Sequence, residues 1–277
     1  MPAMPPSSSD PIAATAAQGP WVHDAPPLRI RQFPCLTDNY GFLIHDPVSG
    51  ETVCVDTPDA EAALANAANA GWRITQIWNT HWHPDHAGGN AAVVGATGAR
   101  VCAPSEITRI APAPDQIVQG GETLRIGARQ ARVLAVGGHT LGHVAYVFDE
   151  ERIAFVGDTL FALGCGRLFE GAPEQMWASL QALAALPGDT RVFCAHEYTE
   201  ANLRFARAVD QDNPHLQARA KEIAALRARG APTVPTRIEL ERATNPFLRA
   251  PQLKAGLGLE EDAVAFAELR RRKDGFR

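Results

Sequence analysis

Several features that would assign other classes of protein are missing from this chain of 277 residues. No stretch approaches the roughly 20 consecutive apolar residues that span a bilayer. Only five cysteines are present, and none of them forms a Cys-x-x-Cys pair, which favours reduced, buried thiols in a cytoplasmic protein. The formal net charge of -5 offers no general attraction to nucleic acid or to anionic lipid. Any basic recognition site must therefore be local.

The start of the chain also lacks the features of a secretory signal. From Met1 to Pro26 it is rich in Ala, Pro and Ser, with neither Lys nor Arg and no continuous apolar block. We expect residues 1–26 to be a disordered leader or a mis-assigned start.

The chain as a whole has the composition of a soluble globular protein, with 45% hydrophobic and 21% charged residues. From residue 28 to about 195, short β-type runs alternate with turns and a few helices, which predicts two packed sheets with helices outside. After Tyr198 the pattern becomes mainly helical. We therefore expect an α/β (α+β) protein with a catalytic domain over 27–198 and a smaller helical C-terminal domain over 199–277.

The strongest chemical signal is a group of four metal-binding side chains within six residues: His81, His83, Asp85 and His86. Their segment follows an apolar strand and precedes a predicted helix, so it lies on a loop at a strand end. In an extended loop His81 and His83 can face the same way, whereas Asp85 and His86 follow a bend and can point elsewhere. One short loop can thus serve two adjacent metal ions.

Two metals need more ligands than this loop contains, and three further candidates lie at similar strand ends: His143, Asp158 and His196. The two oxygens of Asp158 allow it to bridge both ions. Because His143 already fits as a ligand, His139 is assigned a structural or supporting role. Asp56, after another strand, either supports a metal ligand or is a turn residue, and the sequence does not decide between the two. Imidazole and carboxylate ligands suit Zn²⁺, and they also suit Fe and Mn.

The motif Thr80-His81-x-His83-x-Asp85-His86 resembles the signature of the metallo-β-lactamase superfamily, which implies an αββα sandwich with two metals at the sheet edge. Further motifs resemble the glyoxalase II, or hydroxyacylglutathione hydrolase, family. They are Gly-Asp-Thr-Leu-Phe at 157–161, Gly-Cys-Gly-Arg at 164–167, His-Glu-Tyr-Thr at 196–199, Asn-Pro-Phe-Leu-Arg at 245–249 and the basic ending at 270–274.

This resemblance implies a ligand set and a glutathione site. Metal one would be held by His81, His83, His143 and Asp158, and metal two by Asp85, His86, His196 and the same Asp158. The glutathione moiety would be held by Arg167, Tyr198, Arg270 and Lys273. At two positions the sequence departs from the family pattern: Arg167 stands where Lys is usual, and Phe169 stands where an aromatic hydroxyl is expected. We expect Phe169 to weaken the hold on glutathione without removing the chemistry.

The implied reaction is hydrolysis of S-D-lactoylglutathione, and of related S-2-hydroxyacylglutathiones, to D-lactate and glutathione in methylglyoxal detoxification. A water that bridges two cations loses a proton readily, and the resulting hydroxide, oriented by Asp85, would attack the thioester carbonyl. The alternatives are a glutathione persulfide dioxygenase with one iron, another hydrolase of the fold such as a lactamase or lactonase, and a non-catalytic scaffold. We expect a cytoplasmic monomer with a small-molecule substrate and no nucleic-acid or membrane partner.

Overall fold

The computed structural model describes residues 19–276, and most of its strands lie in the first two thirds of the chain. The strands are Trp21–Ala25 (β1), Leu28–Cys35 (β2), Asn39–His45 (β3), Thr52–Val55 (β4), Gln76–Trp78 (β5), Arg100–Ala103 (β6), Gln116–Ile117 (β7), Thr123–Ile126 (β8), Arg129–Ala135 (β9), Val144–Phe148 (β10), Ile153–Gly157 (β11), Leu160–Phe161 (β12), Gly164–Cys165 (β13), Arg191–Cys194 (β14) and Thr236–Arg237 (β15).

Helices separate these strands and dominate the C-terminal part. They are Ala60–Asn69 (α1), Pro84–Ala87 (α2), Asn90–Thr97 (α3), Pro173–Ala184 (α4), Thr199–Val209 (α5), Pro214–Ala228 (α6), Ile238–Thr244 (α7), Ala250–Leu253 (α8) and Asp262–Asp274 (α9). Two 3₁₀ helices span Ser105–Arg109 and Lys254–Leu257. None of the helices in residues 19–276 combines the length and the apolar character needed to cross a membrane.

Two mixed sheets pack face to face. One has the strand order β1-β2-β3-β4-β5-β6-β7, and the other has the order β15-β14-β11-β10-β9-β8. Their inner faces meet through aromatic rings: the ring of Phe42 in β3 lies 5.6 Å from both Phe155 in β11 and Phe193 in β14. Edge-to-face contacts of this kind add to the burial of apolar area that stabilises the sandwich.

Helices cover both outer faces, which confirms the predicted αββα architecture. Ala63 and Ala67 of α1 and Val93 of α3 join Leu43 and Ile77 of the first sheet in one buried cluster. Helix α4 covers the second sheet with buried apolar side chains. Strands β10 and β11 are buried at every position. Because both of their faces are covered, their sequences are continuous apolar runs rather than alternating ones.

The C-terminal helices pack against the second sheet and its covering helix. Trp177 of α4 lies 5.8 Å from Phe266 of α9, and Phe266 lies 6.1 Å from Phe247. This part of the chain also returns to the sheet, since β15 pairs with β14. We propose a catalytic domain over 27–198 and a helical C-terminal domain over 199–277. The C-terminal domain then adds one strand, β15, to the second sheet of the catalytic domain.

Two sequence expectations need correction. The leader expected over residues 1–26 is wrong at its end, because Trp21–Ala25 forms β1 and pairs with β2; residues 1–18 lie outside the described part of the chain. The single helix that the sequence predicts after the ligand-rich loop is instead two short helices, α2 and α3. A Cβ on Gly89, between them, would lie 2.6 Å from the carbonyl oxygen of Thr57, so a side chain would not fit where the two segments meet.

Candidate metal centre and substrate cavity

The predicted metal ligands lie on loops that follow different strands and meet at one edge of the sandwich. Residues 81–86 follow β5. Asp158 directly follows β11, and one residue, Ala195, separates His196 from the end of β14. The loop between β9 and β10 contributes His139. Side chains far apart in sequence are therefore brought together because the carboxyl ends of three strands share one edge.

Three imidazoles form the first group of possible metal ligands. His83 Nδ1 lies 3.0 Å from His81 Nε2 and 3.0 Å from His139 Nε2. His139 Nε2 also lies 3.4 Å from Asp158 Oδ2. Nitrogen and oxygen atoms converging at these distances can share one cation.

The second group lies on the other side of Asp158. Asp158 Oδ1 lies 3.4 Å from His86 Nε2 and 3.3 Å from His196 Nε2. Asp85 Oδ2 completes this group at 3.7 Å from His86 Nε2 and 3.5 Å from His196 Nε2. Each oxygen of Asp158 thus faces a different group, which is the arrangement expected of a carboxylate that bridges two ions.

Two atoms of this arrangement fit a bound cation because they have no other partner. His86 Nε2 and Asp158 Oδ1 are buried and make no hydrogen bond within the described residues. A buried polar atom without a partner is costly, and a cation between these two atoms would satisfy both. The donor set of imidazole nitrogens and carboxylate oxygens suits zinc and related divalent metals.

The geometry does not place His143 among the converging ligand atoms, as the sequence analysis expected, and His139 lies there instead. His143 is buried, and its Nε2 accepts a hydrogen bond from the backbone N–H of Asp158 at 3.1 Å. Its Nδ1 lies 3.4 Å from the hydroxyl of Thr159. Both nitrogens of His143 are thus engaged, and its ring is stacked on that of His81, so it packs against a ligand side chain. The sequence predicts this supporting role for His139, so the roles of the two histidines are the reverse of those expected.

The second nitrogen is also held in His81, His86, His139 and His196, which orients each of these rings. Asp56 Oδ2 accepts from His86 Nδ1 at 2.8 Å and from the hydroxyl of Thr80 at 2.8 Å. The Thr80 oxygen in turn lies 3.0 Å from His81 Nδ1. His139 Nδ1 lies 2.8 Å from the carbonyl oxygen of Arg167 and donates to it. Asp56 therefore has the supporting role that the sequence left open.

Charges around the two groups differ. Burial and the surrounding histidines hold the pKa of His81 well below its usual range, so its imidazole is neutral and free to bind metal. Burial would also lower the pKa of His196, but Asp158 and Asp38 raise it to about 10. Burial would raise the pKa of Asp158, yet the neighbouring histidines hold it well below its usual range. Asp158 is therefore a carboxylate, and metal binding at His196 must displace a proton.

A cavity of about 490 Å³ adjoins the metal ligands. All five predicted substrate residues line it: Arg167, Phe169, Tyr198, Arg270 and Lys273. The ring of Phe169 is 61% exposed and lies 5.5 Å from His83 and 5.2 Å from His139. The ring of Tyr198 is stacked on His196 at 4.7 Å. The cavity therefore runs from the metal ligands to a cluster of basic side chains.

The basic ending divides into two faces of α9. Arg270 and Lys273 face the cavity, whereas Arg271 and Arg272 pair with Glu268 in solvent. Arg270 is mostly buried and donates to the carbonyl oxygen of Cys165 at 2.9 Å and to Asp274 at 2.7 Å. Burial and the nearby Arg270, Arg204 and Arg167 lower the pKa of Lys273. Burial and repulsion from the neighbouring guanidinium groups both disfavour the charged ammonium group.

Sequence reasoning missed several residues that support the site. Glu170 accepts from Trp82 Nε1 at 3.1 Å and from the backbone N–H of Leu141 at 2.9 Å, so it joins the loops that carry His83 and His139. Asp38, in the turn after β2, reaches His196, and Asn39, the first residue of β3, reaches Asp85. No local pattern marks these residues, because each acts on a partner far along the chain.

Comparison with known proteins agrees with this architecture. The family model described as "Metallo-beta-lactamase superfamily" matches residues 52–196, and "Hydroxyacylglutathione hydrolase C-terminus" matches residues 197–276. Among solved structures, ETHE1 from Myxococcus xanthus aligns with a TM-score of 0.64 and 24% identity over 87% of this chain and 89% of its own. This likeness shows the fold. TTHA1623 in a di-iron-bound form aligns with a TM-score of 0.51 and 28% identity over 65% of this chain and 92% of its own.

A curated relative shows the family. The hydroxyacylglutathione hydrolase of Maricaulis maris is 58% identical over 253 residues, covering 90% of this chain and 99% of the relative. The relative from Erythrobacter litoralis, with the same name, is 56% identical and is covered over its full length. With this identity over nine tenths of its length, the chain belongs to the hydroxyacylglutathione hydrolase family.

Proposed function

We propose that this protein hydrolyses S-D-lactoylglutathione and related S-2-hydroxyacylglutathiones to a 2-hydroxy acid and glutathione. The observation that carries the proposal is one cavity with two chemically different walls. Asp158, between two groups of metal-binding side chains, forms one wall, and Arg167, Arg270 and Lys273 contribute to the other. A thioester placed at the first wall would bring the carboxylates of its glutathione moiety to the second.

We infer two divalent cations, with zinc the best match and iron or manganese the alternatives. His81, His83, His139 and Asp158 would hold metal one. Asp85, His86, His196 and Asp158 would hold metal two. When bound, the two cations would supply an acidified water and polarise the thioester carbonyl.

The protein's own residues would bind and orient the reactants. The side chain of Asp85 is 40% exposed, so its carboxylate can accept a hydrogen bond from the attacking water and aim it at the acyl carbon. The water loses one proton to solvent as its oxygen bonds to that carbon, and the carbon–sulfur bond breaks with its electron pair on sulfur, which releases the 2-hydroxy acid and glutathione thiolate. Because a thiol has a pKa of only about 8.5, the thiolate leaves without a dedicated general acid. Tyr198 and the basic cluster would hold the glutathione moiety.

We also propose that the protein acts as a cytoplasmic monomer on a small molecule. All five cysteines are buried and unpaired, which suits a reducing compartment.

The test is a thioester assay with S-D-lactoylglutathione, coupled to elemental analysis of the purified protein. We expect about two metal equivalents per chain, loss of activity after chelation and recovery on addition of Zn²⁺. A His83→Ala variant should be inactive, because His83 Nδ1 lies 3.0 Å from two other ligand nitrogens. Oxygen consumption with glutathione persulfide, together with a single iron per chain, would instead favour a persulfide dioxygenase.

We predict that Phe169→Tyr will strengthen substrate binding. The exposed Phe169 ring lines the cavity, and a hydroxyl there can add a hydrogen bond to the glutathione moiety. One such bond is worth about 0.5 to 1.5 kcal/mol, so KM should fall by about twofold to tenfold. Steady-state kinetics with S-D-lactoylglutathione measure this. Phe169→Leu, which offers no hydroxyl, should not lower KM, and an equal fall in both variants would contradict the explanation.

A further inference from the structure

The turn between β2 and β3, together with the first residue of β3, reaches the metal centre, although neither contributes a metal ligand. Leu36, at its start, has a left-handed backbone with φ of 50° and is 57% exposed. This conformation is costly for a branched residue and persists where surrounding contacts hold it. Two and three residues further along the chain, Asp38 and Asn39 make hydrogen bonds to His196 and Asp85.

We propose that Asp38 and Asn39 are positioning residues that control the binding of metal two and leave metal one largely unaffected. This inference rests on the two-metal site of the proposed function. Asn39 would act on Asp85, and Asp38 would act on His196. Both of these partners belong to the ligand group of metal two.

Asn39 holds the most exposed ligand of that group. Its side-chain amide donates to the carbonyl oxygen of Asp85 at 3.1 Å and to Asp85 Oδ2 at 3.3 Å. That same oxygen faces His86 Nε2 and His196 Nε2 at 3.7 and 3.5 Å. The Asp85 side chain is 40% exposed, whereas those of His86 and His196 are 1% and 3% exposed. Without Asn39, Asp85 is the ligand most free to rotate into the cavity.

Asp38 holds a second ligand of the same ion. Its Oδ1 accepts from His196 Nδ1 at 2.8 Å, which directs His196 Nε2 towards Asp158 and Asp85. The backbone carbonyl of Asp38 also accepts from the N–H of Glu197 at 3.0 Å, and Asn39 forms a β-bridge with His196. The end of the turn and the start of β3 are thus joined by both side-chain and main-chain contacts to the loop that carries His196.

The ligands of metal one have other supports. His81 is oriented by Thr80, and His139 is oriented by the carbonyl oxygen of Arg167. Neither contact involves the β2–β3 turn. Because partners that orient a metal ligand typically affect affinity by about 10-fold to 100-fold, loss of Asn39 should weaken one equivalent of metal by that factor. The other equivalent should change little.

The experiment is zinc binding to the full-length chain. Metal-free wild type, Asn39→Ala and Asn39→Leu are titrated with Zn²⁺ against a chromophoric chelator, and elemental analysis follows dialysis at graded chelator concentration. The leucine variant removes the amide donor at nearly constant volume. We expect two equivalents in wild type, and in both variants one equivalent of unchanged affinity and one weakened by about 10-fold to 100-fold. Asp38→Asn, which keeps the oxygen acceptor, should be affected less than Asp38→Ala.

The control is Asn66→Ala, which removes an amide that bonds Arg31 and the carbonyl oxygen of Ala62 on helix α1. It should bind both equivalents as wild type does. Two unchanged equivalents in the Asn39 variants, or an equal weakening of both, would overturn the positioning role. A wild-type protein with a single equivalent would overturn the two-metal site itself, so the two failures are distinguishable. Thermal unfolding of the metal-free variants reveals any loss that is merely structural.

Discussion

Replacement of Asp158 by alanine should abolish thioester hydrolysis and lower the metal content of the protein at both positions. Its Oδ2 lies 3.4 Å from His139 Nε2, and its Oδ1 lies 3.3 Å from His196 Nε2, so each ligand group loses an oxygen. Stabilisation of developing charge by bound metal is worth several kcal/mol. About 4 kcal/mol corresponds to about a thousandfold in rate, and we expect a loss of kcat/KM at least that large.

The measurements are kcat/KM with S-D-lactoylglutathione and elemental analysis after gel filtration. Asp46→Ala is a suitable control, because Asp46 is also a buried aspartate but accepts from the backbone N–H groups of Val48 and Ser49, in a turn of the first sheet. It should retain metal and turnover. An Asp158→Ala protein with two bound ions and near-normal kinetics would remove the basis for a bridging carboxylate.

The largest expected effect on stability comes from Arg219→Met, far from the metal ligands. The guanidinium of Arg219 pairs with Glu241, whose side chain is completely buried. The other carboxylate oxygen of Glu241 accepts from the backbone N–H of Leu163 at 2.9 Å and from Asn245 at 2.9 Å. Removing Arg219 leaves this carboxylate buried without its cation, which typically costs about 3 to 5 kcal/mol.

Urea denaturation at pH 7 measures the free energy of unfolding of wild type and variant. Arg237→Met is the matched control, because Arg237 pairs with Glu239 at 3.7 Å and both side chains are more than half exposed. Its cost should stay within about 0.5 kcal/mol. Similar costs for the two variants would show that the buried pair is not a major determinant of stability. Because Leu163 lies five residues after Asp158, we also expect Arg219→Met to lose activity at lower urea concentration.

Most of the strands and the main helices were predictable from local pattern. Strand β10 and strand β11 appear in the sequence as continuous apolar runs, and α4 begins with a proline and a buried methionine close behind it. The strand β1 was not predictable in this way. Its sequence, Trp-Val-His-Asp-Ala, is short and adjoins a Pro-rich stretch, and it is a strand because β2 supplies its hydrogen-bond partner.

The reversed roles of His139 and His143 show what the local sequence pattern could not predict. Both histidines lie in the segment Gly-His-Thr-Leu-Gly-His, and either could have reached a metal. The backbone carbonyl of His143 accepts from Val136 N–H at 2.9 Å, at the start of the β9–β10 ladder. This register turns its ring beneath the site, where the N–H of Asp158 occupies its Nε2. His139 lies in the loop outside the ladder and is free to face His83.

The sequence by itself determined the ligand-rich loop at residues 81–86, the roles of Asp158 and His196 as candidate ligands, and the basic residues of the last helix. These features are dense in chemically distinctive side chains and stand at strand ends, so short-range pattern reveals them. Only the tertiary structure decided which histidine faces the metals, which basic residues face the cavity, and which residues hold the ligands in place. Asp38 and His196 are 158 positions apart, and a hydrogen bond over that separation exists only once the two sheets have packed.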